Sequence, residues 1–204
     1  MKQHKFFATL AVLLATIFGA SAAFAQDTHP TASRALQLSA FGAASGVYTG
    51  LAGGKNFAIT AGADLGLRPF RGIRPTIEIR GTFPTDRGLI DAQKSILAGL
   101  KAEFLLSHRF RPYGDFLFGR GQIDYQTGQG IDGYIYNNQI YALTTTYVDS
   151  PGGGFDYQFN EHLAIKVDAQ YQRWASAPTP SGIIYSKVGS AGLVYYFTFN
   201  RRER

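Results

Sequence analysis

The chain has no cysteine among its 204 residues, so neither disulfides nor thiolate metal sites can hold it together. Histidine is scarce as well, with four residues scattered along the sequence, and no metal-ligand cluster or cofactor site follows from them. Beyond the N-terminal segment no apolar run reaches the roughly 18 residues that a membrane-spanning helix requires. The formal net charge of +6 comes with no nucleic-acid-binding motif, so nucleic acid is not an expected partner. What is plentiful is glycine, 24 residues, together with 12 Tyr and 16 Phe, a composition that helices disfavour and that strands and turns accept.

The N-terminus reads as a secretory signal peptide over residues 1–25. Lys2 and Lys5 precede an apolar stretch from Phe6 to about Ala20, and Ala23-Phe24-Ala25 supplies a small-residue cleavage site. Cleavage there starts the mature chain at Gln26, implies export through the Sec pathway and leaves residues 26–204 as one domain.

Along that domain apolar and polar residues alternate with period two in segments of about ten residues, separated by turn residues. Phe57 to Leu67 places Phe57, Ile59, Ala61, Ala63, Leu65 and Leu67 on one face, with Thr60, Gly62, Asp64 and Gly66 on the other. Thr76–Phe83, Ser95–Phe104 and Leu163–Trp174 repeat the scheme. Weaker segments at Ala35–Val47, Arg111–Gly121, Tyr141–Tyr157 and Tyr185–Phe199 bring the number to eight. Tyr141–Tyr157 is the least regular, because Pro151 and three glycines interrupt it and Asp149 falls in the outward phase; a bulge or raised strand end is expected there. The fold class expected is all-β, an eight-stranded antiparallel up-and-down transmembrane β-barrel, since closure alone removes unpaired strand edges within lipid.

The links alternate in length. Short ones at Arg68–Ile73, Leu105–Phe110 and Gln158–Glu161 are expected as periplasmic turns. Longer ones near Gly46–Lys55, Pro84–Lys94, Gln122–Ile140 and Ala175–Ile184 are expected as extracellular loops.

A soluble barrel would turn its apolar residues inward. Here the uninterrupted apolar face must be outward, because the opposite face carries charges in mid-segment. Arg80, Lys101 and Lys166 then face Asp64, Glu78, Glu103, Asp115 and Asp168 inside a barrel whose interior is only wide enough for side chains. An ion-pair network that plugs the lumen is the expectation, and a proton or ion pathway is the alternative. Aromatic residues near both ends of the segments suit two interfacial girdles: Tyr48, Phe57, Phe83, Tyr171, Trp174 and Tyr185 at the outer rim, and Phe104, Tyr113, Phe155, Tyr157, Phe197 and Phe199 at the inner.

Ser190-Ala191-Gly192-Leu193-Val194-Tyr195-Tyr196-Phe197 resembles the assembly signal of outer-membrane proteins: Ser190 as the polar residue, Gly192 two positions on, then Tyr195 and Phe197 at alternate positions. Pro112-Tyr113-Gly114 and Gly152-Gly153-Gly154-Phe155-Asp156-Tyr157 also look like small barrels of the OmpA and OmpX type. The resemblance implies an outer-membrane location, outer-membrane lipids and lipopolysaccharide as surroundings, and insertion by the barrel assembly machinery.

Some barrels of this size modify lipid A with a His and a Ser near the outer rim. After cleavage only His29, His108 and His162 remain, and Ser107-His108 falls at a periplasmic turn, so enzyme function is not expected. Arg68, Arg71, Arg74, Arg109, Arg111, Arg201, Arg202 and Arg204 are expected at the periplasmic rim, as a solvated collar or a site for inner-leaflet phosphates. Three functions stand: a non-enzymatic barrel making surface contacts through its extracellular loops, a narrow channel of porin-like kind, and a lipid A enzyme.

Overall fold

The computed structural model describes residues 36–86, 88, 90–107, 109–125, 134–175 and 179–197. The expected signal peptide, the start at Gln26, His29, His108, Phe199, the arginines at 201, 202 and 204, and parts of the third and fourth long loops lie outside them.

Ten strands are present: β1 Gln37–Tyr48, β2 Lys55–Gly66, β3 Ile73–Pro84, β4 Asp91–Phe104, β5 Phe110–Tyr125, β6 Tyr134–Tyr136, β7 Gln139–Tyr141, β8 Leu143–Gln158, β9 Leu163–Ala175 and β10 Ile183–Phe197. All but β6 and β7 close an antiparallel barrel in the order β1-β10-β9-β8-β5-β4-β3-β2, so that each strand lies beside its neighbours in the chain. Closure pairs β1 with β10 from Leu38↔Phe197 to Tyr48↔Lys187, which leaves no open edge among the eight.

The shear follows from the register. Paired residues run Gln37, Gly66, Thr76, Lys101, Asp115, Gly152, Gln170, Val188 and back to β1 at Val47. The circuit returns ten residues further along the first strand. For eight strands at the usual spacings this stagger corresponds to a tilt of about 40°, and the strand phase then decides which side chains face out and which share the lumen.

Local sequence sets the turns. In the β2–β3 link Arg71 and Gly72 both take positive φ, 50° and 80°, while Phe70 and Ile73 exchange backbone hydrogen bonds of 2.8 and 3.0 Å. That is a two-residue turn whose twist matches the flanking strands. Asn137 and Asn138, with φ of 49° and 62°, make the same kind of turn between β6 and β7.

Three features differ from the sequence reading. The third long link is not loop from Gln122 onward: β5 continues to Tyr125, and the hairpin β6–β7 follows. In the extension Gln122–Tyr125 the apolar residues Ile123 and Tyr125 fall in the inward phase, opposite to the outward Phe116 and Phe118, so the lipid-facing pattern stops before the strand does. β8 needs no bulge, because its pairing with β5 keeps one register from Phe110↔Tyr157 to Asp124↔Leu143. Asp149 stays in the outward phase and is matched there by Arg173, 3.1 Å away on β9. Finally, Trp174 and Tyr113 leave the expected girdles and turn into the lumen, where they are 1% and 5% exposed. Trp174 stands three positions from outward Tyr171, an odd step that reverses the face. The remaining outer aromatics, Tyr48, Phe57, Phe83, Tyr171 and Tyr185, are exposed on the outward face, as are Phe104, Tyr157 and Phe197 at the other end. Phe155 is half-buried against Phe110, ring centroids 5.3 Å apart.

Glycine makes room for the inward aromatics. A Cβ on Gly121 would overlap the six-membered ring of Trp174, and one on Gly62 would overlap the Phe41 ring, so each ring lies where another strand, β5 for Trp174 and β2 for Phe41, has no side chain.

Candidate functional site

The inner half of the lumen brings together all eight of the charged residues picked out by strand phase. Arg80 on β3 is the hub. Its Nε donates to Glu78 Oε1 at 2.6 Å, and its two terminal nitrogens donate to Asp168 on β9 at 2.8 and 3.1 Å. Asp115 on β5 lies 3.7 Å away. Lys101 on β4 is the second hub, 2.6 Å from Asp64, 3.1 Å from Glu103 and 3.8 Å from Glu78. The side chains of Arg80, Glu78, Asp115 and Asp168 are at most 2% exposed. Because β3 and β9 are not neighbours in the sheet, the fork from Arg80 to Asp168 spans the lumen.

Sequence reasoning missed four members. Asp156 on β8 lies 4.0 Å from Lys101 and 3.9 Å from Lys166. Tyr113 donates to Asp168 at 2.9 Å and holds its ring between Lys101 and Lys166, with ammonium-to-centroid distances of 4.5 and 4.2 Å. Tyr196 on β10 donates to Asp156 at 3.1 Å. Phe41 lies 4.7 Å from the Lys166 ammonium. Lys166 Nζ makes no hydrogen bond among the described residues, and the faces of Phe41 and Tyr113 stabilise its charge in place of one. Stepping by two from Asp115 reaches Tyr113, so its direction was readable; the glycine run before Asp156 hid the phase of β8.

Above the network a row of hydroxyls crosses four adjacent strands: Ser190 to Ser45 at 2.8 Å, Ser45 to Thr60 at 2.7 Å, and Thr60 to Thr82 at 3.0 Å. The outer half of the lumen combines an apolar cluster with a smaller polar one. Leu97, Leu117, Ile123, Tyr125, Val148, Trp174 and Ile184 form one buried cluster with Leu51 of the first loop. Beside it Asp91 accepts from Thr49 at 2.7 Å and from Gln93 at 3.0 Å, and Ser186 ties Gln93 to Thr49. The interior is thus a charged layer, a hydroxyl layer and an apolar layer, packed in sequence from inner to outer end.

At the inner end two of the expected rim arginines are not on the rim. Arg74 and Arg111 lie in the inward phase of β3 and β5 and are half-buried. Arg74 donates to Gln37 and is paired across the sheet with Glu103. Arg111 is paired with Asp156 and lies 5.6 Å from the Tyr196 ring centre. Alternation along a strand, which composition at a turn does not reveal, draws both into the mouth. Arg68, Arg71 and Arg109 remain in the turns. A cavity of about 380 Å³ opens at this mouth beside Arg109 and Arg111. Ser107 Oγ accepts only a long contact from the Arg109 amide, 3.5 Å. His162 lies in the β8–β9 turn, its ring 6.0 Å from that of Tyr195. Of the residues likened to an assembly signal, Ser190 and Gly192 point inward, while Tyr195 and Phe197 point outward with their rings edge-on at 5.1 Å.

Among solved structures, Neisserial surface protein A superposes with a TM-score of 0.50 at 15% identity, covering 80% of this chain and 97% of that one. The chain has the fold of the small eight-stranded outer-membrane barrels. Ail of Yersinia pestis (TM-score 0.45, 12% identity, 79% and 97% coverage) and OprG of Pseudomonas aeruginosa (0.43, 14%, 81% and 97%) are also similar. At these identities the likeness concerns the fold. No family model and no curated protein sequence matches the chain.

A small outer-membrane barrel of this kind meets acyl chains on its outward face, and the distribution of exposure here fits that solvent. Ile59, Ile79, Ile96, Phe116, Phe118 and Leu193 are each more than half exposed in mid-strand, whereas the charges at mid-barrel, such as Glu78, Arg80, Lys101 and Asp168, are inside. In water such an arrangement would expose the apolar surface and bury the charged one, the reverse of what stabilises a soluble fold.

Proposed function

We propose that the protein resides in the outer membrane as a closed, non-conducting and non-enzymatic barrel, and that its extracellular loops make its functional contacts. The observation that supports this reading is the layered packing of buried side chains across the lumen between its two mouths. An ion would have to separate Arg80 from three carboxylates and then pass the buried side chains packed around Trp174. At the outer end the β6–β7 hairpin projects apolar side chains instead. Ile135 and Ile140 are 55% and 60% exposed, the kind of surface that contacts a partner. On this reading lipopolysaccharide and outer-membrane lipids surround the barrel, the barrel assembly machinery inserts it, and a Sec leader ending at Ala25 is removed.

Refolded protein in a planar bilayer tests the closed body, and cells displaying the protein with residues 134–141 removed test the loops. A silent bilayer and loss of surface adhesion are the expected results. Discrete current steps altered by Lys101→Gln would overturn the closed body in favour of a channel. Adhesion undiminished by the deletion would overturn the role of the hairpin. The mass of the purified mature chain checks the start at Gln26.

A further inference from the structure

On five strands the lipid-facing row runs for ten residues without a charge and then ends on a cation. The rows go from Leu65 to Lys55, Phe104 to Lys94, Phe110 to Arg120, Leu163 to Arg173 and Phe197 to Lys187. Ten residues on a strand tilted by about 40° rise about 25 Å, the height of an apolar membrane belt. All five cations therefore stand at the long-loop edge of the belt, on the face turned toward lipid, with Lys55 about 6 Å further out than Lys187, since both pair with Tyr48 across tilted strands. Asp149 is the acid in the row of β8, and Asp86 and Asp124 border Lys94 further out. The opposite edge differs: the rows begin there on Phe, Leu or Ile, and Arg68, Arg71 and Arg109 belong to turns.

Tyrosines stand between these cations. Arg173 is paired with Tyr185, and Lys187 with Tyr171 on one side and Tyr48 on the other. The rings of Tyr171 and Tyr185 stack at 5.6 Å with 17° between planes on the diagonal that crosses the one from Arg173 to Lys187. Between β5 and β8, Arg120 donates to Tyr147 Oη at 3.2 Å with its guanidinium 5.1 Å from that ring. Guanidinium and ammonium groups beside phenolic hydroxyls match phosphate oxygens. Outward orientation at the edge of the belt places those donors in the headgroup layer, beyond the reach of most soluble partners.

We propose that this collar, with Arg120, Arg173, Lys187 and Lys55 as its principal groups, binds the phosphates of a multiply phosphorylated glycolipid in the surrounding outer leaflet. The inference rests on the outer-membrane reading above. Five cations spread over five strands exceed what one phosphodiester headgroup can neutralise, and a headgroup carrying two phosphates bridges neighbouring strands of the ring.

The test uses the refolded full chain in phosphatidylcholine nanodiscs containing a few per cent of bisphosphorylated lipid A, and measures the lipid A retained per barrel after extraction into detergent. Expected is an enrichment of about fivefold or more over its bulk fraction. It falls to the bulk value in the triple variant Lys55→Gln, Arg120→Gln, Lys187→Gln, and for lipid A stripped of phosphate. The triple variant keeps the Arg173–Asp149 pair, and heat-modifiable gel mobility shows that it is folded. Arg68→Gln, Arg71→Gln, Arg109→Gln at the other end keeps full enrichment. Retention by the triple variant, equal retention of the dephosphorylated lipid, or equal enrichment of phosphatidylglycerol would each overturn the proposal. A barrel that enriches the glycolipid and conducts ions sinks the closed-body reading alone, and a silent barrel without enrichment sinks the collar alone.

Discussion

Replacing Arg80 by methionine removes the cation that three carboxylates share while keeping much of the volume. Asp168 then retains only the Tyr113 hydroxyl at 2.9 Å and Gln170 at 3.2 Å. Asp115 retains Gln170, and Glu78 retains Lys101 at 3.8 Å. With the guanidinium 2% exposed and its partners fully buried, solvent screening gives little relief. Loss of one partner from a buried pair costs about 3 to 5 kcal/mol, which is a hundredfold to several thousandfold in the folding equilibrium. Asp168→Leu removes the opposite partner. In the double variant neither charge is stranded by the other, so its cost falls short of the summed singles by about 1 to 3 kcal/mol. Urea titration of reversible folding into phosphatidylcholine vesicles measures all four corners of the cycle. A coupling below about 0.5 kcal/mol, the usual additivity error, would refute the claim that the fork across the lumen is a stabilising tie.

The remaining predictions concern the layers around that hub. Gly121→Val forces a side chain into the space of the Trp174 ring and lowers stability by about 1 to 3 kcal/mol; Trp174→Leu in the same chain restores most of it, as the same titration will record. Ile79→Arg puts a charge at mid-belt on the outward face and costs about 2 to 4 kcal/mol in vesicles, and a cost near zero would mean that this face does not meet lipid. Ser45→Ala breaks the hydroxyl row between Thr60 and Ser190 and costs about 1 kcal/mol, seen as a lower urea midpoint with unchanged slope.

Period-two alternation made the closed barrel legible because membrane strands sort side chains by solvent, one residue in and one out. That rule placed Asp64, Glu78, Arg80, Lys101, Glu103, Asp115, Lys166 and Asp168 in one layer, even though residues such as Arg80 and Asp168 are 88 positions apart. It failed where position along the strand was used in place of phase, as for Trp174, Tyr113, Arg74 and Arg111. It also failed where glycine erased the pattern, as before Asp156. The apolar outer layer was hidden for a different reason. Leu97, Leu117 and Val148 share the inward phase of the charges, and alternation does not say at what height an inward residue stands; the register shows that they fill the space above the charges. The β6–β7 hairpin had no apolar alternation to mark it, only the Asn137-Asn138 pair.

The seam between β1 and β10 carries a kinetic consequence. Ser45 and Ser190, which share a hydrogen bond there, are separated by 145 positions, so the contacts that complete the cylinder are those whose formation costs the most chain entropy. Until they form, both terminal strands of the sheet present bare amides and carbonyls to lipid, and the charges destined for the interior have water on one side. Sealing and drying are one event in this protein. A nascent sheet that has lost its last strand therefore has no stable resting place in the bilayer, and chain-end integrity becomes a condition for insertion itself.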